Sequence, residues 1–256
     1  MKFFDCNAWA GVARIPPLKP VLTPEALLAE MDRCGIDEAL VNHAGGNFEN
    51  PIVSNPEIAA FCAASPRLHP IWNILPPQTG EMTPDQLIAD MKTNDVKGVN
   101  AFPNAHKYII SAVSVGSLFE AFIARHIPLF LSVTGFETSF GGVDAGWENV
   151  YRILKEFPEL TLVATDHGCW GQDRLFRPLI EHYPNFYIDT SRYELDGGIE
   201  EFINTYGPSR LLFGTSFHNA PMGSASLLLR NARISEDARA LIAAGNLERL
   251  LGEIQL

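Results

Sequence analysis

The stretch Phe157-Pro-Glu-Leu-Thr-Leu-Val-Ala-Thr-Asp-His-Gly168 decides the fold. Its proline closes a helix-like segment, because a residue without a backbone N–H cannot extend one. An apolar run without polar alternation follows and stops abruptly at polar residues. Strands covered on both faces have that composition, which points to a parallel sheet lying between helices. The unit recurs from end to end: Lys2–Cys6, Glu38–His43, Leu68–Asn73, Gly98–Phe102, Leu129–Val133, Leu160–Thr165, Phe186–Thr190 and Leu211–Thr215 all fit its strand half. About eight strand-plus-helix units in one domain is the count of a closed (β/α)₈ TIM barrel, whose chemistry sits where the strands end.

The chain's 256 residues match the usual length of one such barrel, so residues 1–256 are expected to form a single α/β domain. A hydrophobic share of 46% and a charged share of 19% suit a globular protein with a large core. The net charge of −11 is spread over helix-like stretches and argues against nucleic acid and anionic membranes, which need clustered Lys and Arg. Cys6, Cys34, Cys62 and Cys169 lie far apart, with no C-x-x-C pair to suggest a zinc knuckle or disulfide framework. Asp5 breaks any signal-peptide core, and no run is long enough to span a bilayer, so the cytoplasm is the expected location. A small-molecule substrate is the expected partner; nothing in the sequence sets the oligomeric state.

Helix starts are marked by Thr23-Pro24-Glu25 and Thr83-Pro84-Asp85-Gln86, the second a capping box, and by Asn55-Pro56-Glu57 with an amide cap. An additional C-terminal helix is predicted from Ser235 to about Leu251, with Ala238, Leu241, Ile242, Leu247 and Leu250 as its apolar stripe. The longest irregular segments, Ala10–Leu22, Phe102–Ser111 and Thr134–Gly146, each follow a strand and read as candidate lids.

The strand ends carry Asp5, Asn7 and Trp9; His43; Asn73; Asn100, Phe102 and His106; Ser132 and Thr134; Thr165-Asp166-His167-Gly168-Cys169-Trp170; Asp189, Ser191, Arg192 and Tyr193; and Thr215, Ser216 and His218. Phe-Phe-Asp-Cys-Asn-Ala-Trp at 3–9, Leu-Val-Ala-Thr-Asp-His-Gly at 162–168 and Phe-Tyr-Ile-Asp-Thr-Ser at 186–191 form a recognisable set. Leu-Leu-Phe-Gly-Thr-Ser at 211–216 and Gly-Asn-Leu-Glu-Arg-Leu-Leu at 245–251 complete it. On these segments the chain resembles the amidohydrolase superfamily, in the branch related to aminocarboxymuconate-semialdehyde decarboxylase, over nearly its whole length. The resemblance implies a (β/α)₈ enzyme that uses a divalent metal to hydrolyse or decarboxylate small molecules.

The departures from that pattern fall on the metal ligands. Where the family has D-x-H-x-H, Asp5 stays and the histidine positions hold Asn7 and Trp9. Ser132 and Asp166 stand where the histidines of strands 5 and 6 belong, and Ser216 replaces the aspartate of G-T-D. Indole cannot coordinate and neutral oxygens are poor zinc ligands, so no zinc site is expected. A weakly held magnesium or calcium would suit Asp166 and the neutral oxygens better, and His43, His167 and His218 are the histidines from which a rescue site would have to be built.

Asp166 and His167 are the predicted catalytic acid–base pair, since a carboxylate beside an imidazole at a barrel mouth titrates near neutrality. Adjacent strand residues point to opposite faces, so one of the two is expected to enter the mouth. Asn7, His43, Asn100, His106, Arg192, Ser216 and His218 are the expected substrate-binding residues, with Arg192 as a planar fork for a carboxylate. Asp5 reads as a structural group. Ser216 lacks the G-x-S-x-G elbow of a nucleophile. Trp9, Phe102, Trp170, Tyr193 and Phe217 are candidate walls for an aromatic or sugar-like ligand. The pattern therefore predicts an enzyme, a hydrolase ahead of a carboxy-lyase, acting on a small carboxylated or sugar-like molecule. The alternative is a metal-free barrel that binds a ligand or a partner protein without catalysis.

Overall fold

The computed structural model describes residues 1–13, 16–133, 146–168 and 172–256. Thr134, Cys169, Trp170 and all of the expected lid over Thr134–Gly146 except Gly146 itself lie outside these residues. The strands are β1 (Phe4–Ala10), β2 (Glu38–His43), β3 (Leu68–Asn73), β4 (Gly98–Asn100), β5 (Leu129–Ser132), β6 (Leu162–Thr165), β7 (Phe186–Asp189) and β8 (Leu211–Leu212). They pair in parallel in chain order, β1 through β8. The helices between them are α1 (Pro24–Cys34), α2 (Pro51–Cys62), α3 (Pro84–Thr93), α4 (Ala112–Ile123), α5 (Gly146–Glu156), α6 (Asp173–His182), α7 (Gly198–Tyr206) and α8 (Met222–Asn231). Among the described residues no helix is long and apolar enough to cross a membrane.

Buried side chains sort into two cores by strand alternation. Val41, Trp72, Val99, Leu131, Ala164 and Ile188 face outward under the helices, while Leu40, Ile71, Phe130, Val163, Tyr187 and Leu212 fill the barrel. Space for the Phe130 ring comes from Gly98 on the adjacent strand, where a Cβ would lie 2.7 Å from that ring. The seam between β1 and β8 is closed by the Cys6 N–H donating to the Phe213 carbonyl at 2.8 Å and the Trp9 N–H to the Phe217 carbonyl at 2.6 Å.

The caps at Thr23 and Thr83 form as the sequence predicts, accepting from the backbone of Ala26 and Gln86. The Gln86 side chain, however, reaches forward to Asp90 rather than back to the cap. Asn55 does not start a helix. Asn50-Pro51 begins α2 one turn earlier, and Asn55 lies inside it, exchanging two hydrogen bonds with the backbone of Asn73 at the end of β3.

The C-terminal helix starts at the Ser235 cap but runs in three pieces: α9 (Glu236–Ala240), a π-helical turn (Leu241–Gly245) and α10 (Asn246–Gly252). The wider turn takes in an additional residue and shifts the phase of the helix beyond it. Ala244, Leu247 and Leu250 consequently plug the bottom of the barrel, with Asn246 tied to the carbonyls of Pro208 and Leu211. Leu241, expected in the buried stripe, is 41% exposed. Leu250→Asp should therefore lower stability by at least about 3 kcal/mol, adding a buried charge to the lost apolar burial. Leu241→Asp should change it by no more than about 0.5 kcal/mol. Equal urea midpoints for the two variants would refute the plug.

Candidate active site

The site begins with a one-residue bulge. Asp5 pairs with Ala39 and Ala8 with Val41, so β1 spends three steps where β2 spends two. Before the bulge Phe4 and Cys6 point into the barrel; after it Ala8 and Ala10 point out. Alternation then turns Asn7 and Trp9 toward the mouth. The Asp5 carboxylate serves the irregularity itself, accepting from the N–H of Asn7 and of Thr215, each at 2.9 Å, and from the Thr215 hydroxyl at 2.5 Å. It stitches β1 to the segment after β8.

Two further positions depart from regular strand geometry. Asp166 and Ser216 have φ of 57° and 54°, left-handed values that a non-glycine residue adopts only where its surroundings impose them. They lie in one cluster with Asn7. The Asn7 amide nitrogen donates to Asp166 Oδ1 at 2.9 Å and to Asp189 Oδ2 at 3.2 Å, while Ser216 Oγ donates to Asp166 Oδ1 at 2.6 Å. Trp9 Nε1 donates to Asn7 Oδ1 at 2.8 Å. Gly214 makes room for Asp189, since a Cβ there would stand 2.4 Å from its Oδ2. All these side chains are buried.

Burial, with the Asp166 charge adding to it, pushes the Asp189 carboxyl well above the ordinary carboxylate range. Hydrogen bonds from Ser191 and Asn7 pull the other way. Burial also raises Asp5 from its ordinary 3.8 to about 6, against the pull of its three hydrogen bonds.

His167, expected to act with Asp166, turns the other way. Its ring packs on Phe176 of α6 and on Tyr193, with centroids 5.3 and 5.4 Å away, and Nε2 lies 2.7 Å from the Asp189 carbonyl. A carbonyl only accepts, so Nε2 carries the proton. Burial holds the ring's pKa below its ordinary value. The imidazole ties β6 to β7 behind the site.

Asn100 donates to Asn42, whose own amide reaches the Ala8 carbonyl at 3.4 Å. His43 lies between Glu49 and Glu57, its Nδ1 3.6 Å from one and its Nε2 3.3 Å from the other. His106 sits edge-on to Phe102, and Phe102 lies 6.1 Å from Trp9. Burial lowers the pKa of both His106 and His218. Ser132 is buried at the end of β5, and Arg192 is half-buried in the turn after β7. Sequence reasoning passed over Asn42 and gave Asp189 only a place on the rim. The inward alternation of β7, counted from Tyr187, was the signal for Asp189.

The amidohydrolase family profile matches residues 7–252. The chain belongs to that family. No curated protein matches the sequence. Among solved structures, an uncharacterized TIM-barrel protein from Bordetella bronchiseptica is 22% identical, with TM-score 0.75 and 99% of each chain covered. The 5-carboxyvanillate decarboxylase of Sphingomonas paucimobilis is 17% identical, with TM-score 0.73 and the same coverage. A dihydroxybenzoic acid decarboxylase from Polaromonas sp. JS666, with bound manganese and an inhibitor, 2-nitroresorcinol, is 16% identical, with TM-score 0.75 and 98% of this chain and 97% of that one covered. At such identities these likenesses establish the fold.

Among the described residues, the barrel mouth does not fit the divalent metal that the family resemblance implies. Asn7 and Ser216 present hydrogens to the carboxylates, and Trp9 presents one to the Asn7 amide oxygen, at positions where the family resemblance puts ligands with lone pairs. Among the described residues one other set, His43 with Glu49 and Glu57, has a ligand-like composition. There the Gly45 N–H occupies the Nδ1 lone pair at 3.2 Å, and Nε2 faces Glu57 at 3.3 Å.

The raised Asp5 has a measurable consequence. The folded protein keeps that proton to higher pH than the unfolded chain, so the Asp5 contribution to stability falls as pH rises from about 4 to about 6. Asp5→Asn preserves the contacts, its oxygen taking both N–H donors and its NH2 facing the Thr215 hydroxyl. Wild-type stability relative to this variant should drop by roughly 2–3 kcal/mol between about pH 4 and pH 7. A constant difference in urea denaturation across that range would show that Asp5 ionises as in the unfolded chain.

Proposed function

We propose that this barrel is an enzyme for a small carboxylated molecule, bound at the carboxyl ends of the strands, and that Asp166 and Asp189 carry out its proton transfers. The observation that carries the reading is the buried pair of carboxyls on a single amide, Asn7, with Asp189 held toward its protonated form. Two carboxyls that share one buried site can supply an acid and a base together. Trp9 and Phe102 offer an aromatic wall above them, and His218, Ser132 and Arg192 are the polar groups to orient a substrate and clamp its carboxylate.

Carboxy-lyase chemistry suits this equipment better than hydrolysis, because it consumes a proton and needs no activated water at a buried site. The acid protonates the carbon that bears the carboxylate, the C–C bond breaks with its electron pair left on that carbon, and carbon dioxide departs. Solvent then returns a proton to the pair. The decarboxylases of like fold act on carboxylated aromatics, which agrees with the aromatic wall. A second reading, ligand binding without catalysis, is favoured by one observation: Asp166 is 1% exposed and Asp189 wholly buried.

The test is turnover of a panel of carboxylated phenols, lactones and amides by the purified 256-residue chain. Carbon dioxide release from a carboxylated phenol is expected, with kcat falling about 10²–10⁴-fold in Asp166→Asn while circular dichroism shows it folded. Hydrolysis of a lactone or amide, with no carbon dioxide released, would replace the carboxy-lyase by a hydrolase. Calorimetric binding of a carboxylated phenol without turnover would establish the non-catalytic reading.

A further inference from the structure

We propose that the Trp9–Asn7 pair takes the place of the divalent cation in this barrel, with the indole fixing the sense of the amide and the amide bridging the two buried carboxyls that a cation would hold together. This role is independent of the reaction proposed for the site and depends only on which atoms carry hydrogens.

An amide can be turned end for end with little change of shape, so the sense of Asn7 needs an anchor. Trp9 provides it. Indole Nε1 is a donor only, and it stands 2.8 Å from Asn7 Oδ1. That contact commits the oxygen of the amide to Trp9 and the NH2 to the opposite side. Both amide hydrogens are then used on carboxyls, at 2.9 Å to Asp166 and 3.2 Å to Asp189. Ser216 adds a third donor, at 2.6 Å, on the same oxygen of Asp166.

The three replaced positions thus act as one device. Asn7, Trp9 and Ser216 stand where the family resemblance puts two histidines and an aspartate, each of which would offer a lone pair to a metal. Each instead supplies a hydrogen, two of them directly to the carboxyls and the indole through the amide. Carboxyls gathered in a buried place require either a cation or an array of donors, and these replacements supply the array. Trp9 is a positioning residue here. It touches neither carboxyl, and its part is to deny Asn7 the reversed orientation, in which oxygen would face oxygen.

The test uses the 256-residue chain purified without chelators or a metal-binding tag, with manganese(II) as the probe. Elemental analysis of the wild type should find well under one transition metal per chain. Its Tm should be unchanged by EDTA or by millimolar manganese, and added manganese should keep its free-ion EPR signal. Asn7→Asp exchanges the bridging donors for a third carboxyl, so its Tm should fall and then recover with manganese, binding the ion at least about tenfold more tightly than the wild type. Asn7→Ala should fall without recovering. Trp9→Phe keeps a ring beside Phe102 but loses the N–H, and should gain part of the manganese response. Near-stoichiometric metal in the wild type, or a wild-type Tm that drops in EDTA, would overturn the proposal. So would a manganese response in Asn7→Asp no greater than in Asn7→Ala. If Asn7→Asp does not fold, the wild-type metal content, EDTA response and manganese titration decide alone.

Discussion

One additional residue in β1 governs the arrangement of the mouth. A regular strand that sends Phe4 and Cys6 inward would send Asn7 and Trp9 out under the helices. The bulge between Asp5 and Ala8 reverses the alternation, so that consecutive residues, Cys6 and Asn7, serve the barrel interior and its mouth. The bulge in turn depends on a buried acceptor for the N–H groups it displaces from the ladder. Asp5 is that acceptor, and because it also takes the Thr215 N–H and hydroxyl, the irregularity of β1 and the closure of the barrel are one interaction.

Other departures stand beside the bulge at the mouth. The left-handed backbone at Asp166 and Ser216 and the missing Cβ at Gly214 accompany the bulge, and all bring polar groups within reach of Asn7. Left-handed backbone also occurs below, at Asp95 and His126 in the turns that enter β4 and β5, while the strands there carry apolar layers over a helical plug. Left-handed non-glycine conformations cost of order 1–3 kcal/mol each and persist only where packing over-determines them. The ordered, apolar floor, with its plug of Leu247 and Leu250, supplies such packing beneath the irregular rim.

The architecture was legible because apolar runs, prolines and capping threonines are local signals. Each predicted strand contains or overlaps an observed one, and Thr23 and Thr83 cap as their sequence context requires. The illegible part depends on backbone phase or on distant residues. A bulge leaves no mark in composition, so Asp5 read as structural without its partner Thr215, some 210 positions away. The choice between Asp166 and His167 follows from one φ angle. Asp189 reaches Asn7 because the segment after β8 carries glycine at 214, a fact of the neighbouring chain segment. Leu241 matched a helical stripe, and the π-helical turn moved it out of phase.

The seam also dictates an order of assembly. Strands β1 through β8 each pair with the neighbour next in sequence, so the sheet can grow progressively, but the last edge joins Cys6 to Phe213 and Asp5 to Thr215. Loop closure over such a separation is slow and comes after the local contacts have formed. Until then β1 and β8 are both unpaired edges, one beside the other's target, and either can recruit a strand from another molecule. The buried carboxylate at the seam thereby acts as a latch, holding together two strand edges that would otherwise be open to a strand from another molecule.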